Sequence, residues 1–489
     1  MPKTAIIIGA GIAGLASAIR LIKKGYYVTV FESNSYPGGK LHSKTVDGYR
    51  FDLGPSLFTM PWLVTELFEL HSKKPEDYFQ YSRKETICNY FWEDGTRFQA
   101  SADSDTFAIQ GAEVFSESSE NIKKYLVNNK KKYEHTSSIF LEKSLHKSST
   151  YFSKKTLKAL LRIGGMGIYK SLDTENKSYF KNPKLIQLFN RYATYNGSSP
   201  FKTPGIMSMI PHLEMDLGTY FPKGGMHSIT KSIYKLAKDI GVQFHFNRQV
   251  DEIIVENNIA KGIRCNGEAL KADIVVSNMD VYPTYKKLLT QQKQPKRVLQ
   301  QERSSSALIF YWGINKEFPE LDLHNILFSA NYKKEFQKLF DEKTLHDDPT
   351  VYINITSKEN TQDAPKDSEN WFVMINAPGN YGQDWPELIK KARTTIVEKI
   401  NRVFKTDVES YITTEFILDP VGIETSTSSH RGALYGAASN SKFAAFLRHP
   451  NFSTKIENLF FCGGSVHPGG GIPLCLFSAK ILIDVIPND

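Results

Sequence analysis

Apolar residues recur along this chain in two rhythms, and the places where one gives way to the other outline its elements. Thr4-Ala5-Ile6-Ile7-Ile8 is a continuous apolar run, the pattern of a strand covered on both faces. It passes directly into Gly9-Ala10-Gly11-Ile12-Ala13-Gly14, and the spacing beyond predicts a helix from Leu15 to Lys24 stopped by Gly25. A second strand, Tyr27 to Phe31, ends on an acid, Glu32. Farther on, Ile229, Ile233, Leu236 and Ile240 recur at helical spacing before Gly241. Short strands are expected at Val242–Phe246, Arg248–Val255, Ile259–Cys265 and Asp273–Asn278, then at Ser306–Trp312 and Trp371–Ile375. Residues 341–370 are mostly polar and are expected to include a surface loop. Near the far end Glu457–Cys462 reads as a strand, followed by a Gly-rich turn from Gly463 and a helix from Leu476.

The first 32 residues thus form a βαβ unit around G-x-G-x-x-G, with an acid 18 positions after the last glycine. Gly9 lets the chain turn out of the strand. Gly11 lets backbone approach a pyrophosphate, and Gly14 lets the helix pack closely on the sheet. The helix N-terminus offers free N–H groups and a positive dipole end to phosphate. Glu32 is placed to accept from ribose hydroxyls, and its charge disfavours a 2′-phosphate.

Three further strings carry a family resemblance. Tyr36-Pro37-Gly38-Gly39-Lys40-Leu41 and Asp52-Leu53-Gly54-Pro55-Ser56 are similar to the Gly-Gly-Arg loop and Asp-x-Gly-Pro turn of the amine-oxidase-like flavoproteins, with Lys40 where arginine is usual. Gly218-Thr219-Tyr220-Phe221-Pro222-Lys223-Gly224-Gly225 matches their Gly-x-(Trp/Tyr)-x-Pro-x-Gly-Gly motif. Gly463-Gly464-Ser465-Val466-His467-Pro468-Gly469-Gly470-Gly471-Ile472-Pro473-Leu474 resembles the bacterial phytoene-desaturase-like carotenoid enzymes, most of all the 1-hydroxycarotenoid 3,4-desaturase branch. The resemblance implies an α/β fold: an FAD-binding Rossmann-like domain of the amine-oxidase/glutathione-reductase-2 type, a sheet-based substrate domain and a helical lid or membrane insert. It implies FAD as cofactor, held by Gly9, Gly11, Ile12, Ala13, Gly14, Glu32, Gly39, Lys40, Pro55, Ser56, Leu57, Val250, Asn278, Gly464, Gly471 and Ile472. Lys40 would keep a positive charge beside the phosphates while losing arginine's bidentate fork. The backbone of Val250 would pair with adenine.

Composition adds bounds. A chain of 489 residues with 40% apolar content can build two or three domains with cores of their own. Cys88, Cys265, Cys462 and Cys475 have neither metal-ligand spacing nor a secretory context and are expected to be reduced thiols in the cytoplasm; no metal site is expected. No run of 18 apolar residues exists to span a bilayer.

The net charge of +9 is concentrated. Residues 121–170 hold 11 lysines and Arg162 against Glu134 and Glu142, so this window alone carries +10. Tyr125, Leu126, Tyr133, Phe140, Leu141, Leu145, Tyr151, Phe152, Leu157, Leu160 and Leu161 are interleaved with those charges. Basic residues mixed with apolar ones suit an anionic membrane surface, from which a carotenoid must be extracted. A solvated lysine-rich helical face is the alternative. No nucleic-acid motif accompanies the patch. The expected location is cytoplasmic, peripherally associated with the membrane.

The flavin domain is expected at 1–75, 214–290 and 425–489, the substrate domain at 76–105 and 291–424, and the basic helical insert at 106–213. Under the resemblance the reaction removes hydride from an allylic C–H to oxidised flavin, and the neighbouring carbon then loses a proton. No catalytic side chain is assigned: His212, His227 and His467 read as structural. Quinone or O2 is the expected electron acceptor. A substrate hydroxyl would need polar partners, with Arg191–Asn196 and Ser304–Ser306 as candidates. A phytoene- or lycopene-type desaturase, a flavin-dependent carotenoid isomerase and a non-enzymatic prenyl-protein-binding relative remain alternatives.

Overall fold

The computed structural model describes residues 2–152, 164–441 and 447–487. The first strand, β1 (Thr4–Ile8), leads into helix α1 (Ile12–Lys23) and strand β2 (Tyr27–Phe31). α1 starts three residues before the expected Leu15, because the glycine turn itself supplies its first turn. β1 is central in a five-stranded parallel sheet, in the order Leu459–Phe461, Ile274–Ser277, β1, β2, Gln243–His245. Helix His227–Asp239 and helix Ile472–Val485 both pack against α1. With neighbours on both sides, α1 is buried from Ile12 through Leu21, which is why its sequence is apolar all round.

The second sheet has seven strands, in the order Ile412–Leu418, Ser306–Ile314, Glu369–Ala377, Val351–Ile355, His324–Leu327, Thr86–Phe91, Arg97–Ser101. All neighbours are antiparallel except His324–Leu327 beside Thr86–Phe91. Ser306–Ile314 is buried along its whole length. Val351–Ile355 adds to the reading of 341–370: between its surface loops this polar stretch contributes an inner strand, hidden in the sequence by the charged residues flanking it. A separate antiparallel meander, Val250–Glu256, Ile259–Cys265 and Glu268–Lys271, stands beside the first sheet.

Between Ser104 and Met215 the described chain is helical, with long helices at Ser104–Phe115 and Ser119–Phe140. Ser118 caps the latter, its Oγ accepting from the Asn121 N–H. These helices share one core with the second sheet: Phe107, Tyr125 and Phe189 pack with Tyr90, Phe98, Ile326 and Phe328. Lys132 belongs to that interior. Its ammonium lies 2.7 Å from Glu175 Oε1 and 2.7 Å from Ser208 Oγ.

The apolar residues interleaved with the basic window divide between interior and surface. Tyr125, Leu126 and Leu145 are buried in cores, while Tyr133, Phe140 and Leu141 line the internal cavity. Tyr151 and Phe152 do face outward, at 41% and 86% exposure. Leu157, Leu160 and Leu161 lie outside the described residues. Among the described residues no helix is long and apolar enough to cross a membrane, and no His/Cys/Asp/Glu group could hold a metal. The four cysteines are free.

Candidate cofactor and substrate site

A cavity of about 1010 Å³ runs from the C-terminal ends of the parallel strands to the inner face of the second sheet. Ligands of open α/β sheets are expected at that strand end. Fifteen of the sixteen residues expected to hold the cofactor line it; Gly14 stands behind the others. A Cβ on Gly14 would collide with the Gly9 carbonyl oxygen, and one on Gly11 would sit 2.8 Å from Asn278 Oδ1. Both positions therefore exclude side chains for reasons internal to the fold as well as for a ligand.

Asn278 follows strand Ile274–Ser277 and clamps the turn. Its Oδ1 accepts from the Gly14 N–H at 3.0 Å, and its Nδ2 donates to the Cys462 carbonyl at 3.3 Å. Glu32 is 7% exposed, and its Oε2 accepts from the Ala10 N–H at 2.7 Å. Its Oε1 accepts from the Asn34 N–H at 2.9 Å and the Ser33 hydroxyl at 3.2 Å. A carboxylate has about four acceptor sites, so Glu32 braces the glycine turn and keeps acceptor capacity toward the cavity.

Gly39, Pro55, Ser56 and Leu57 form one stretch of wall and Val250 another, with Val250 opening the meander. Gly464 belongs to the turn after strand Leu459–Phe461. Gly471 (φ +104°) directly precedes Ile472, the first residue of the last helix, with Pro473 in its first turn. This helix starts four residues before the expected Leu476, so its N-terminal N–H groups meet the cavity.

Lys40 lines the cavity and is held from behind. Its ammonium donates to the carbonyls of Ala433 and Leu434, both at 2.9 Å. Burial lowers its pKa to about 8; the little surface it exposes faces the cavity interior. Arg448 is another buried cation in the wall, missed from the sequence because no motif contains it. Its Nη1 donates to the Tyr435 carbonyl at 2.7 Å and the Gly464 carbonyl at 3.3 Å. Burial and Arg303 lower its pKa to about 10, and its Nε has no partner. Asp280, the nearby acid, already pairs with Arg303.

The three histidines have structural partners. His467 Nε2 lies 2.9 Å from the Lys143 carbonyl, His227 Nδ1 lies 2.8 Å from Ser43 Oγ, and His212 Nδ1 lies 2.5 Å from Asp216 Oδ2. Burial lowers His467 to about 4, so it is neutral at pH 7.

The far part of the cavity is mostly apolar, with Ile87, Met207, Ile210, Leu213, Ile309 and Phe372 in its wall. Of the Arg191–Asn196 stretch, Arg191, Thr194, Tyr195 and Asn196 line it. The serine candidates need correction. Ser304 Oγ accepts from the Tyr435 N–H at 3.0 Å and Ser306 Oγ donates to the Gly432 carbonyl at 2.7 Å, so both fasten the 432–436 segment. Ala307 and Ile309 present the wall there instead.

These residues fit FAD. A pyrophosphate needs close backbone approach and excess positive charge. The glycine turn provides the first, and Lys40 with Arg448 provides the second. Buried cations left without carboxylates are costly unless an anion joins them.

The profile of the flavin-containing amine oxidoreductases matches residues 12–481. A Flavobacterium protein named 1-hydroxycarotenoid 3,4-desaturase is 63% identical over 486 residues, covering 99% of both chains. A Staphylococcus aureus protein named 4,4'-diaponeurosporene oxygenase is 33% identical, covering 99% of this chain and 98% of its own. Among solved structures, an oxidoreductase from Methanosarcina mazei superposes with a TM-score of 0.63 at 15% identity, covering 98% of this chain and 100% of its own. Wild-type putrescine oxidase bound to putrescine gives 0.62 at 14%, covering 99% and 97%. The chain belongs to the family of flavin-containing amine oxidoreductases and is an FAD-dependent oxidoreductase.

Proposed function

We propose that this protein desaturates a 1-hydroxycarotenoid at its 3,4 position, removing two hydrogens from the end group. The observation that carries this reading is the 63% identity, over 99% of both chains, to a protein named for that reaction. The apolar far wall of the cavity suits a polyene. FAD, when bound, supplies the hydride acceptor. The cation left on the substrate is delocalised along the polyene, so the neighbouring C–H is acidic enough to lose its proton to a weak acceptor. The chain's own contribution is then to bind, orient and keep water out.

The sixteen glycine-turn, acidic and strand-end residues are proposed to hold FAD, with Val250 at the adenine end. The domain division is proposed as flavin domain at 1–75, 214–290 and 425–489, substrate domain at 76–105 and 291–424, and helical lid at 106–213. Peripheral attachment to an anionic membrane surface on the cytoplasmic side is proposed for the basic window. The outward Tyr151 and Phe152 beside Lys147 support it. Quinone or O2 is proposed as electron acceptor.

Purified holoenzyme, incubated with a 1-hydroxycarotenoid in liposomes, should give a product lighter by two hydrogens with a longer-wavelength visible spectrum. An unchanged mass would replace the reading with isomerisation. Gain of oxygen would replace it with the oxygenase chemistry for which the Staphylococcus aureus relative is named.

A further inference from the structure

Among the described residues, three that line the cavity carry a buried side-chain atom without a hydrogen-bond partner: His42 Nδ1, Arg448 Nε and His324 Nε2. The first two lie at the cofactor end. His42 stacks on Tyr36, just before the Gly38-Gly39 turn, and Arg448 holds the Gly464 carbonyl. His324 is different, because it opens strand His324–Leu327 of the second sheet.

His324 is 4% exposed. Its Nδ1 lies 2.8 Å from Tyr352 Oη and 3.2 Å from Asn354 Nδ2. Asn354 Nδ2 also donates to the Leu323 carbonyl at 2.8 Å, so it presents its other hydrogen to Nδ1. The network thereby assigns Nδ1 as acceptor and places the proton on Nε2. Burial, with Arg191 and Lys84 adding to it, lowers the imidazole's pKa to about 3, so the ring is neutral. Tyr352 Oη lies 2.8 Å from Ser56 Oγ, which ties the histidine to the Gly54-Pro55 turn on the cofactor wall. The neighbouring cation is already engaged: Arg191 donates to Tyr90 Oη at 2.8 Å and to Glu214 Oε2 at 3.0 Å. The site thus holds one oriented, neutral, unanswered donor in a largely apolar wall. Buried donors are nearly always paired, and a ligand in the cavity that His324 lines is one source of an acceptor oxygen.

We propose that His324 Nε2–H donates a hydrogen bond to the hydroxyl oxygen of the substrate's end group. The Ser56–Tyr352–His324 chain then sets that hydroxyl at a fixed distance from the cofactor wall. This inference rests on the carotenoid-desaturase reading above. It makes His324 the residue that separates hydroxylated from unsubstituted ends. A site that pairs a substrate hydroxyl discriminates against the analogue lacking it far more than an apolar contact does.

The test compares kcat/KM of holoenzymes for a 1-hydroxycarotenoid and for its counterpart without the hydroxyl. The native protein should prefer the hydroxylated substrate. His324→Leu should reduce that preference by about ten- to a hundred-fold, mainly through KM for the hydroxylated substrate. Activity on the unsubstituted one should fall much less, so the ratio of the two is the readout. His324→Gln should recover much of the preference, because its amide nitrogen reaches the Nε2 position. His324→Asn places its amide at the Nδ1 position and should not. If His324→Leu loses FAD, the Gln and Asn pair decides alone. A folded, FAD-loaded His324→Leu with the native preference would overturn the inference and leave Nε2 with a bound water only. Equal use of both substrates by the native protein would overturn the inference while sparing the desaturase reading. Use of neither would overturn both.

Discussion

Gly11 is the residue where fold and ligand make the same demand. Its missing side chain would leave room for the phosphate proposed there, and a Cβ would already press on Asn278 Oδ1. Gly11→Val should therefore yield protein without bound flavin, read as loss of the yellow flavin colour. Glu32→Ala should weaken FAD by about 1–3 kcal/mol, measured by titration, since both a charged acceptor and the brace on Ala10 disappear. Lys40 gives a pH dependence with a definite sign. Burial holds its pKa at about 8, and an anionic cofactor favours the protonated form. FAD affinity should then be highest below pH 8 and fall as pH rises through it. Lys40→Met should flatten that profile, and an unchanged slope would remove Lys40 from the electrostatics of the site. At this scale the motif residues were legible because glycine spacing and a strand-end acid are local signals. The direction of Lys40 was not, because its carbonyl partners stand almost 400 positions away. Nor were His324 and Arg448, whose roles exist only once distant strands and turns meet.

Among the elements, strands with unbroken apolar runs declared themselves, β1 and β2 to the residue. Val351–Ile355 did not: five residues between charged flanks carry too little periodicity to stand out, and their partners supply the burial. The basic window misled for a related reason. Lysines at helical spacing look solvated, yet Lys132 turns inward and pairs with Glu175, the two side chains 9% and 7% exposed. Removing one member of such a pair leaves a charge buried alone and typically costs about 3–5 kcal/mol. Glu175→Leu should accordingly lower the denaturation midpoint sharply, whereas replacing Lys132 and Glu175 together by apolar residues should restore most of it. A double-mutant cycle in urea checks both.

For the whole molecule, the proposed membrane attachment rests on the charge that the sequence concentrates in residues 121–170. Binding to liposomes should require anionic lipid and decline with salt, each basic residue near the surface contributing about 1 kcal/mol. Phe152→Ser should weaken flotation at constant charge. Equal flotation on neutral and anionic vesicles would count against the electrostatic part. The Asn278 clamp carries a further consequence, in time. It joins the glycine turn at residues 9–14 to the carbonyl of Cys462, so the two walls of the cofactor site lie about 450 positions apart in the chain. A ribosome adding about 5–20 residues per second needs roughly 20–90 seconds to travel between them. During most of that interval the glycine turn proposed to cradle phosphate is already outside the ribosome while its closing wall has not been made. Flavin capture should therefore wait for the last part of synthesis. Nascent chains arrested before residue 460 should emerge colourless even in saturating FAD.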